Sequence, residues 1–341
     1  MKLLRLQANC VPGLEPLMHT EMRALRLRDV RTDGSGKVRA RGTLRQLYAA
    51  NAFLRCASRI FLDVGSITAR NHNELQLKLG SLLRFAPFLP DDAALAIRVR
   101  VRRGKARPSG LHHESNIREH LHELLRRPPA AAADGGTTSS SGGGGYSSSG
   151  PRIDVDVDGH RVSFLVDTSG DVLHERGWRR GAGKMPLKGS VAAGLLYAAG
   201  WTDAATSDAA QPLQRRPSLI DPFCGSGSIP IEAAQMALGL PPRPERTFAL
   251  HRWPAFEPAV WASVAGEVAE RTGAAARRQR TATRPLAGEC FGLLLTASDC
   301  FRPPAGECFG LLRTASHCFR PPVASRSGRQ RPRRRRHRRR P

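Results

Sequence analysis

The sequence has no run of 18 apolar residues, so nothing in it reads as a membrane-spanning helix. Its start lacks an apolar core followed by a small-residue cleavage site, and residues 1–6 read as a first β-strand rather than a signal peptide. Acidic residues are scarce: 29 Asp and Glu stand against 54 Lys and Arg, a net charge of +25. That excess points to a polyanionic partner, because Lys and Arg that neutralise phosphates supply most non-specific nucleic-acid affinity. Seven cysteines are an odd number, and Cys10, Cys56 and Cys224 fall in segments expected to pack, where a free thiol behaves as a small hydrophobe. We therefore expect a reducing compartment, cytoplasmic or organellar, and no disulfide framework.

What is present is concentrated in Asp221, Pro222, Phe223, Cys224, Gly225, Ser226, Gly227 and Ser228. A short apolar run (218–220) precedes them and an apolar segment of helical character (229–238) follows, which is a strand, a glycine turn and a helix. The glycines let the backbone approach a ligand closely. The helix start offers unpaired N–H groups and a positive dipole end to a polar or anionic group. A P-loop is excluded, because no Lys follows the glycines. A dinucleotide fingerprint needs a third glycine, and Pro230 stands there. That leaves the first motif of a class I methyltransferase, in which a Gly-x-Gly turn cradles S-adenosylmethionine, or an ordinary glycine-rich turn.

Along the rest of the chain, residues 1–60 alternate strand, helix (14–27), strand (37–41) and helix (44–55). Leu17, Glu21 and Leu25 share one face of the first helix, where Glu21 weakens the apolar stripe. A strand (60–64) and a helix (73–83) follow. Over 94–101 a period of two puts Leu95, Ile97, Val99 and Val101 on one face and Arg98 and Arg100 on the other, where Arg102 continues it. Arg103, Lys105 and Arg107 carry the charge into the next loop. These six side chains are the candidate RNA contacts; the alternative is a solvated strand face. Ser115 is a candidate N-cap for a helix over 115–125. Residues 128–151 are mostly Ala, Gly, Ser and Thr, too polar and small to order themselves. A hairpin then places Ile153, Val155 and Val157 on one strand, with Asp158 and Gly159 as the turn.

The string at 221–228, with Ile229, Pro230, Ile231, Glu232, Ala233 and Ala234 behind it, resembles the THUMP-containing RNA methyltransferases, especially the large-subunit rRNA guanine-N2 type. Upstream, residues 165–170 and 173–179 are similar to that family's "LDxSGxxLHxRGYR" stretch, with Trp178 where the family has Tyr. Pro186, Leu187, Lys188, Ala192 and Ala193 resemble its "APLKETLAA" helix, and Arg55, Cys56, Ala57, Ser58, Arg59 and Ile60 its "RxASRI" segment. Together the matches span residues 3–265. The resemblance implies an α/β protein: a ferredoxin-like region (1–60), a THUMP RNA-binding domain (61–166) and the first part of a Rossmann-like, doubly wound methyltransferase sheet (167–270). It implies S-adenosylmethionine held by 221–227, rRNA as partner, and Arg176 and Arg179 near the cleft. No metal is expected.

Two further methyltransferase features do not occur. No Pro-Pro pair is preceded by Asn or Asp and followed by an aromatic, the pattern that holds an exocyclic amine and stacks on its base. No second strand ending in an acid is identified; residues 291–299 mimic one but lie in a tandem repeat. Residues 287–304 and 305–322 match at 16 of 18 positions. Their Cys290, Cys300, Cys308 and Cys318 have the wrong spacing for zinc knuckles. We expect residues 271–341, which end in an arginine-rich tail, to be disordered. Three functional readings follow: an RNA methyltransferase, an RNA-binding chain without transfer activity, and a nicotinamide-binding oxidoreductase that Pro230 disfavours. Cys224 could be a nucleophile, but its place inside the glycine turn favours a loop role.

Overall fold

The computed structural model describes residues 3–79, 88–89, 95–101, 114–124, 151–177, 187–201 and 219–282. The Ala/Gly/Ser/Thr insert, the tandem repeat and the arginine-rich tail lie outside them.

The chain opens with β1 (Leu4–Asn9), α1 (Glu15–Ala24), β2 (Arg28–Thr32), β3 (Lys37–Gly42), α2 (Leu44–Phe53) and β4 (Arg59–Thr68). Leu6 and Ala8 of β1, Val38 and Ala40 of β3, and Ile60 and Leu62 of β4 fall on one side of the sheet and are all buried. Two local devices start the helices. Thr43 and Gln46 form a capping box at α2, and the Glu15 carboxylate accepts from the backbone N–H groups of Gly13 (2.6 Å) and Gly36 (2.7 Å) at α1.

Then come α3 (His72–Leu79), β5 (Ala96–Val101), α4 (Glu114–Leu124), β6 (Arg152–Asp158) and β7 (Arg161–Asp167). All seven strands join one sheet in the order β2-β3-β1-β4-β7-β6-β5. The first four strands with α1 and α2 make the split βαβ arrangement of a ferredoxin-like unit. The last two in the order, β5 and β6, are parallel, with α4 between them in sequence, and every other pairing is antiparallel. β4 pairs with β1 on one side and with β7 on the other, so the expected boundary at residue 60 falls inside a shared strand.

The opposite side of the sheet is polar. Arg98 and Arg100 lie across from Asp154 and Asp156 in register. Lys37 of β3 meets Asp156 of β6 at 2.6 Å although three strands separate them in the sheet order, which requires the sheet to curl toward this side.

Two sequence expectations shift by a residue. α4 begins at Glu114, so Ser115 lies in its first turn and is not the N-cap; its hydroxyl bonds Asn116 Oδ1. Asp158 pairs with Arg161, so the hairpin turn is Gly159 and His160, with Gly159 supplying the positive φ of 58°.

Beyond residue 167 the described elements are α5 (Gly189–Ala198), α6 (Ser228–Leu238), a short 3-10 turn (Ala249–Arg252) and α7 (Pro258–Ala282). They dock on the ferredoxin-like unit. A Cβ added at Gly194 of α5 would stand 2.5 Å from Leu14 Cδ2, at the start of α1, so a side chain there would make Leu14 shift. α7 lies on α2 through the Arg45–Glu267 pair (3.1 Å) and through Tyr48, whose ring packs 5.6 Å from Phe256 and 5.9 Å from Trp261. Among the described residues, the expected second sheet is represented only by Ile220, a single bridging residue before the glycine turn. No described helix is long and apolar enough to cross a membrane.

Candidate cofactor turn and RNA-facing surface

The glycine turn forms as the sequence predicts, between Ile220 and α6. Asp221 Oδ1 accepts from the Phe223 N–H at 3.2 Å and starts the turn, and the Gly227 N–H donates to the Cys224 carbonyl at 2.8 Å and closes it. Gly225 (φ 53°) and Gly227 (φ 77°) both adopt the left-handed conformation that costs other residues dearly. A Cβ at Gly225 would come no nearer than 4.0 Å to an atom of the described residues beyond its chain neighbours, so they leave the space above this glycine open. At Gly227 the same atom would press on Ile231 Cδ1 at 3.2 Å. Gly227 is also the N-cap of α6, and its carbonyl accepts from the Ile231 N–H at 3.0 Å.

The start of α6 adjoins the start of α5. Ser228 Oγ donates to the Leu187 carbonyl at 3.3 Å, just ahead of α5. Two helix N-termini, each with first-turn N–H groups that intrahelical bonding leaves over, thus lie beside the turn. The turn is open to solvent: Phe223 is 92% exposed and Ile220 70%. Asp221 and Cys224 are half-buried, and Pro222, Gly225 and Ser226 are exposed. An open backbone cradle at a helix N-terminus fits a nucleotide-like ligand. Cys224 sits on the rim of the turn, and its thiol makes a contact of 3.8 Å with the Gly225 carbonyl.

Three of the eight expected RNA contacts are described. Arg98 is exposed on the polar side of β5. Partial desolvation of its guanidinium, although the residue as a whole is exposed, and then the neighbouring charges of Arg100 and Arg152 lower its pKa. Arg100 is half-buried and its guanidinium binds Asp154 at 2.6 Å. Arg152 shares the same carboxylate, at 2.6 Å. Burial works to raise the Asp154 pKa, but the Arg152 hydrogen bond and the two guanidinium charges hold it below the usual carboxylate range. Arg102, Arg103, Lys105, Arg107 and Arg179 lie outside the described residues.

Arg176, expected to contact RNA, is instead a buried partner of Glu232. It is 5% exposed and its guanidinium is turned inward. It donates to both oxygens of Glu232 (3.2 Å each), to the Leu173 carbonyl (2.9 Å) and to the Arg55 carbonyl (2.7 Å). Those bonds leave no side-chain face for a phosphate.

Several residues that matter to the site carried no sequence signal of their role. Glu21, expected to weaken the α1 stripe, accepts from the Arg55 and Cys56 N–H groups (2.9 Å each) and from the Tyr197 hydroxyl of α5 (3.2 Å). Burial pushes its carboxyl pKa up against those hydrogen bonds. Asn51 of α2 ties down Thr168 (2.9 Å) and Ser169 (2.8 Å), so the start of the segment after β7 is a clasp onto the ferredoxin-like unit. Arg246 gives its guanidinium to the carbonyls of Asp171, Val172 and Glu175. The Cys10 thiol is pushed up to about 12 and that of Cys56 higher still, chiefly by burial, so both are inert packing groups.

Comparison with known proteins bears on both halves. Residues 5–61 match the RlmL ferredoxin-like domain and residues 176–289 the RMKL-like methyltransferase domain. The ribosomal RNA large subunit methyltransferase K/L of Marinobacter nauticus is 29% identical over 265 residues, covering 77% of this chain and 34% of that protein. Its counterpart from Magnetococcus marinus is 42% identical over 103 residues, covering 30% and 13%. The chain spans about a third of the length of the relatives it matches most extensively. A solved structure of a predicted N6-adenine-specific DNA methylase from Listeria monocytogenes superposes with a TM-score of 0.60 at 27% identity, covering 80% of this chain and 65% of that one. A second, of a protein in complex with SAH, gives 0.59 at 25% identity with the same coverage.

Proposed function

Because the chain belongs to the family of the large-subunit ribosomal RNA methyltransferases K/L, we propose that it takes part in S-adenosylmethionine-dependent methylation of large-subunit rRNA, at the exocyclic N2 of a guanine. The observation that carries this reading is the glycine turn, an open cradle with two left-handed glycines at a helix N-terminus. Asp221, Pro222, Phe223, Cys224, Gly225, Ser226 and Gly227 would hold the cofactor, and the SAH bound in a similar structure supports that ligand class. The cofactor supplies an electrophilic methyl group. The chain's own part is placement: Gly225 leaves room for close approach, and the α6 N-terminus favours the ligand's acceptor groups. No residue is assigned as a catalytic acid or base. A THUMP-type RNA-binding role for β5 to β7 is proposed on Arg98 and Arg100 together with Arg102, Arg103, Lys105 and Arg107, and Arg179 is proposed as an RNA contact in the segment after β7. The inert Cys10 and Cys56 thiols fit a reducing compartment.

Titration calorimetry of the full chain with S-adenosylmethionine tests the reading. Saturable one-to-one binding, lost in Gly225→Val, is expected; no heat of binding to the wild-type chain would overturn it. The second reading, an RNA-binding chain that transfers no methyl group, rests on the absence of an Asn/Asp-Pro-Pro-aromatic string from the sequence. Labelled methyl transfer to naked large-subunit rRNA separates the two.

A further inference from the structure

Three residues from separate stretches of sequence meet at one buried point. Arg55 follows α2, Arg176 follows β7, and Glu232 lies in the second turn of α6. Glu232 is fully buried, and Arg55 and Arg176 are 6% and 5% exposed. Arg55 Nη1 reaches Glu232 Oε1 at 2.8 Å, and Arg176 grips both carboxylate oxygens at 3.2 Å. Arg55 also donates to the carbonyl of Leu240, just past the end of α6. One side chain of the ferredoxin-like unit therefore holds α6 at its middle and at its C-terminal end. Arg176 closes the ring by donating to the Arg55 carbonyl.

We infer that this Arg55–Glu232–Arg176 cluster is a positioning device that sets the rotation and axial placement of α6, and through it the conformation of the glycine turn. Three observations carry the inference. Among the described residues nothing braces the turn from outside: Phe223 is 92% exposed, and the nearest atom to a Cβ at Gly225, beyond its chain neighbours, is 4.0 Å away. Among the described residues, the apolar cluster under α6 consists of Leu196, Ala233 and Met236, with four partly buried neighbours. Such small contacts permit a helix to slide or roll, whereas a bidentate ion cluster has one register. A buried cluster of this kind is also a poor source of net stability compared with apolar side chains of similar volume, so its contribution here is specificity of placement. Glu232 lies five residues after Gly227, and a rigid helix transmits its placement directly.

The importance of the placement to cofactor binding rests on the proposed reading of the turn; the placement itself does not. The test uses amide hydrogen exchange on the full chain, comparing wild type with Glu232→Gln, and S-adenosylmethionine titration in parallel. In Glu232→Gln we expect exchange over residues 221–231 to be faster by about ten-fold, with residues 4–42 unchanged. Affinity for S-adenosylmethionine should fall by about ten-fold while RNA affinity is kept. Arg55→Lys, which keeps a charge for Glu232 but loses the second arm to Leu240, is the milder variant should Glu232→Gln not fold. It should speed exchange over 236–240 first. Unchanged exchange over 221–231 in a folded Glu232→Gln, or an equal rise over 4–42, overturns the inference. Wild-type protein that binds no S-adenosylmethionine overturns the cofactor reading instead, and the exchange comparison still decides the placement.

Discussion

The two halves of the molecule are held together in different ways. In the sheet half, large apolar side chains such as Leu6, Tyr48, Ile60 and Phe164 are all but fully buried in one extensive cluster. Among the described residues around α5 and α6 the separate apolar cluster is small, and polar clasps take over: Asn51 on Thr168 and Ser169, Glu21 on Tyr197, and the Arg55–Glu232–Arg176 ring. Apolar packing tolerates adjustment and polar clasps do not. The sheet half, with the 3-10 turn and α7 whose Phe248, Leu250, Trp253 and Val264 join its apolar cluster, is therefore a robust platform, and the α5–α6 part that carries the turn is an exact attachment to it.

That contrast can be broken or sharpened by substitution, and the largest effect is expected in the platform. Phe164→Ala should cost about 3–5 kcal/mol and lower the chemical-denaturation midpoint of the whole chain. Glu232→Ala leaves two arginines buried without their carboxylate. A loss of about 3–5 kcal/mol is expected at most, because part of the attachment can open to water. If the two halves are distinct in character, its denaturation curve becomes biphasic, whereas that of Phe164→Ala stays single. A smaller effect is expected from acid at His174. Its pKa is lowered to about 4, by burial first and then by the charges of Lys188, Arg176, Arg246 and Arg59. The unfolded chain binds this proton near pH 6.5 and the folded chain does not, so stability falls as pH drops from about 6.5 to about 4. Melting temperatures of wild type and His174→Gln should therefore converge across that window. Phe223→Ser should be the least consequential for folding, within about 0.5 kcal/mol, since the ring is almost wholly exposed. If it weakens S-adenosylmethionine binding while the melt is unmoved, the ring belongs to the ligand site.

The same contrast explains what the sequence disclosed. Strands β1, β3, β5, β6 and β7 were legible because alternation marks a half-buried strand, as Ile97 and Val99 against Arg98 show. The turn was legible because its glycines, Asp221 and the following helix are contiguous. Arg176 was misplaced because an arginine destined for a buried carboxylate looks, in a basic sequence, like one destined for phosphate. Only its partner tells them apart, and Glu232 lies 56 residues away. Glu21 was read as a flaw for the same reason: its acceptors are needed by Arg55 and Cys56, more than thirty residues on. The parallel pairing of β5 with β6 has no local signature either, because periodicity reports a strand's faces and not its neighbours.

β4 hydrogen-bonds to β1 on one flank and to β7 on the other. Severing the chain near residue 60 would strip a central strand and leave two raw edges, each a template for pairing with foreign chains. The ferredoxin-like unit and the strands after it are thus heritable together: a recombination event that separates them yields two aggregation-prone pieces, whereas one that falls beyond residue 167 keeps all seven strands in one uninterrupted sheet.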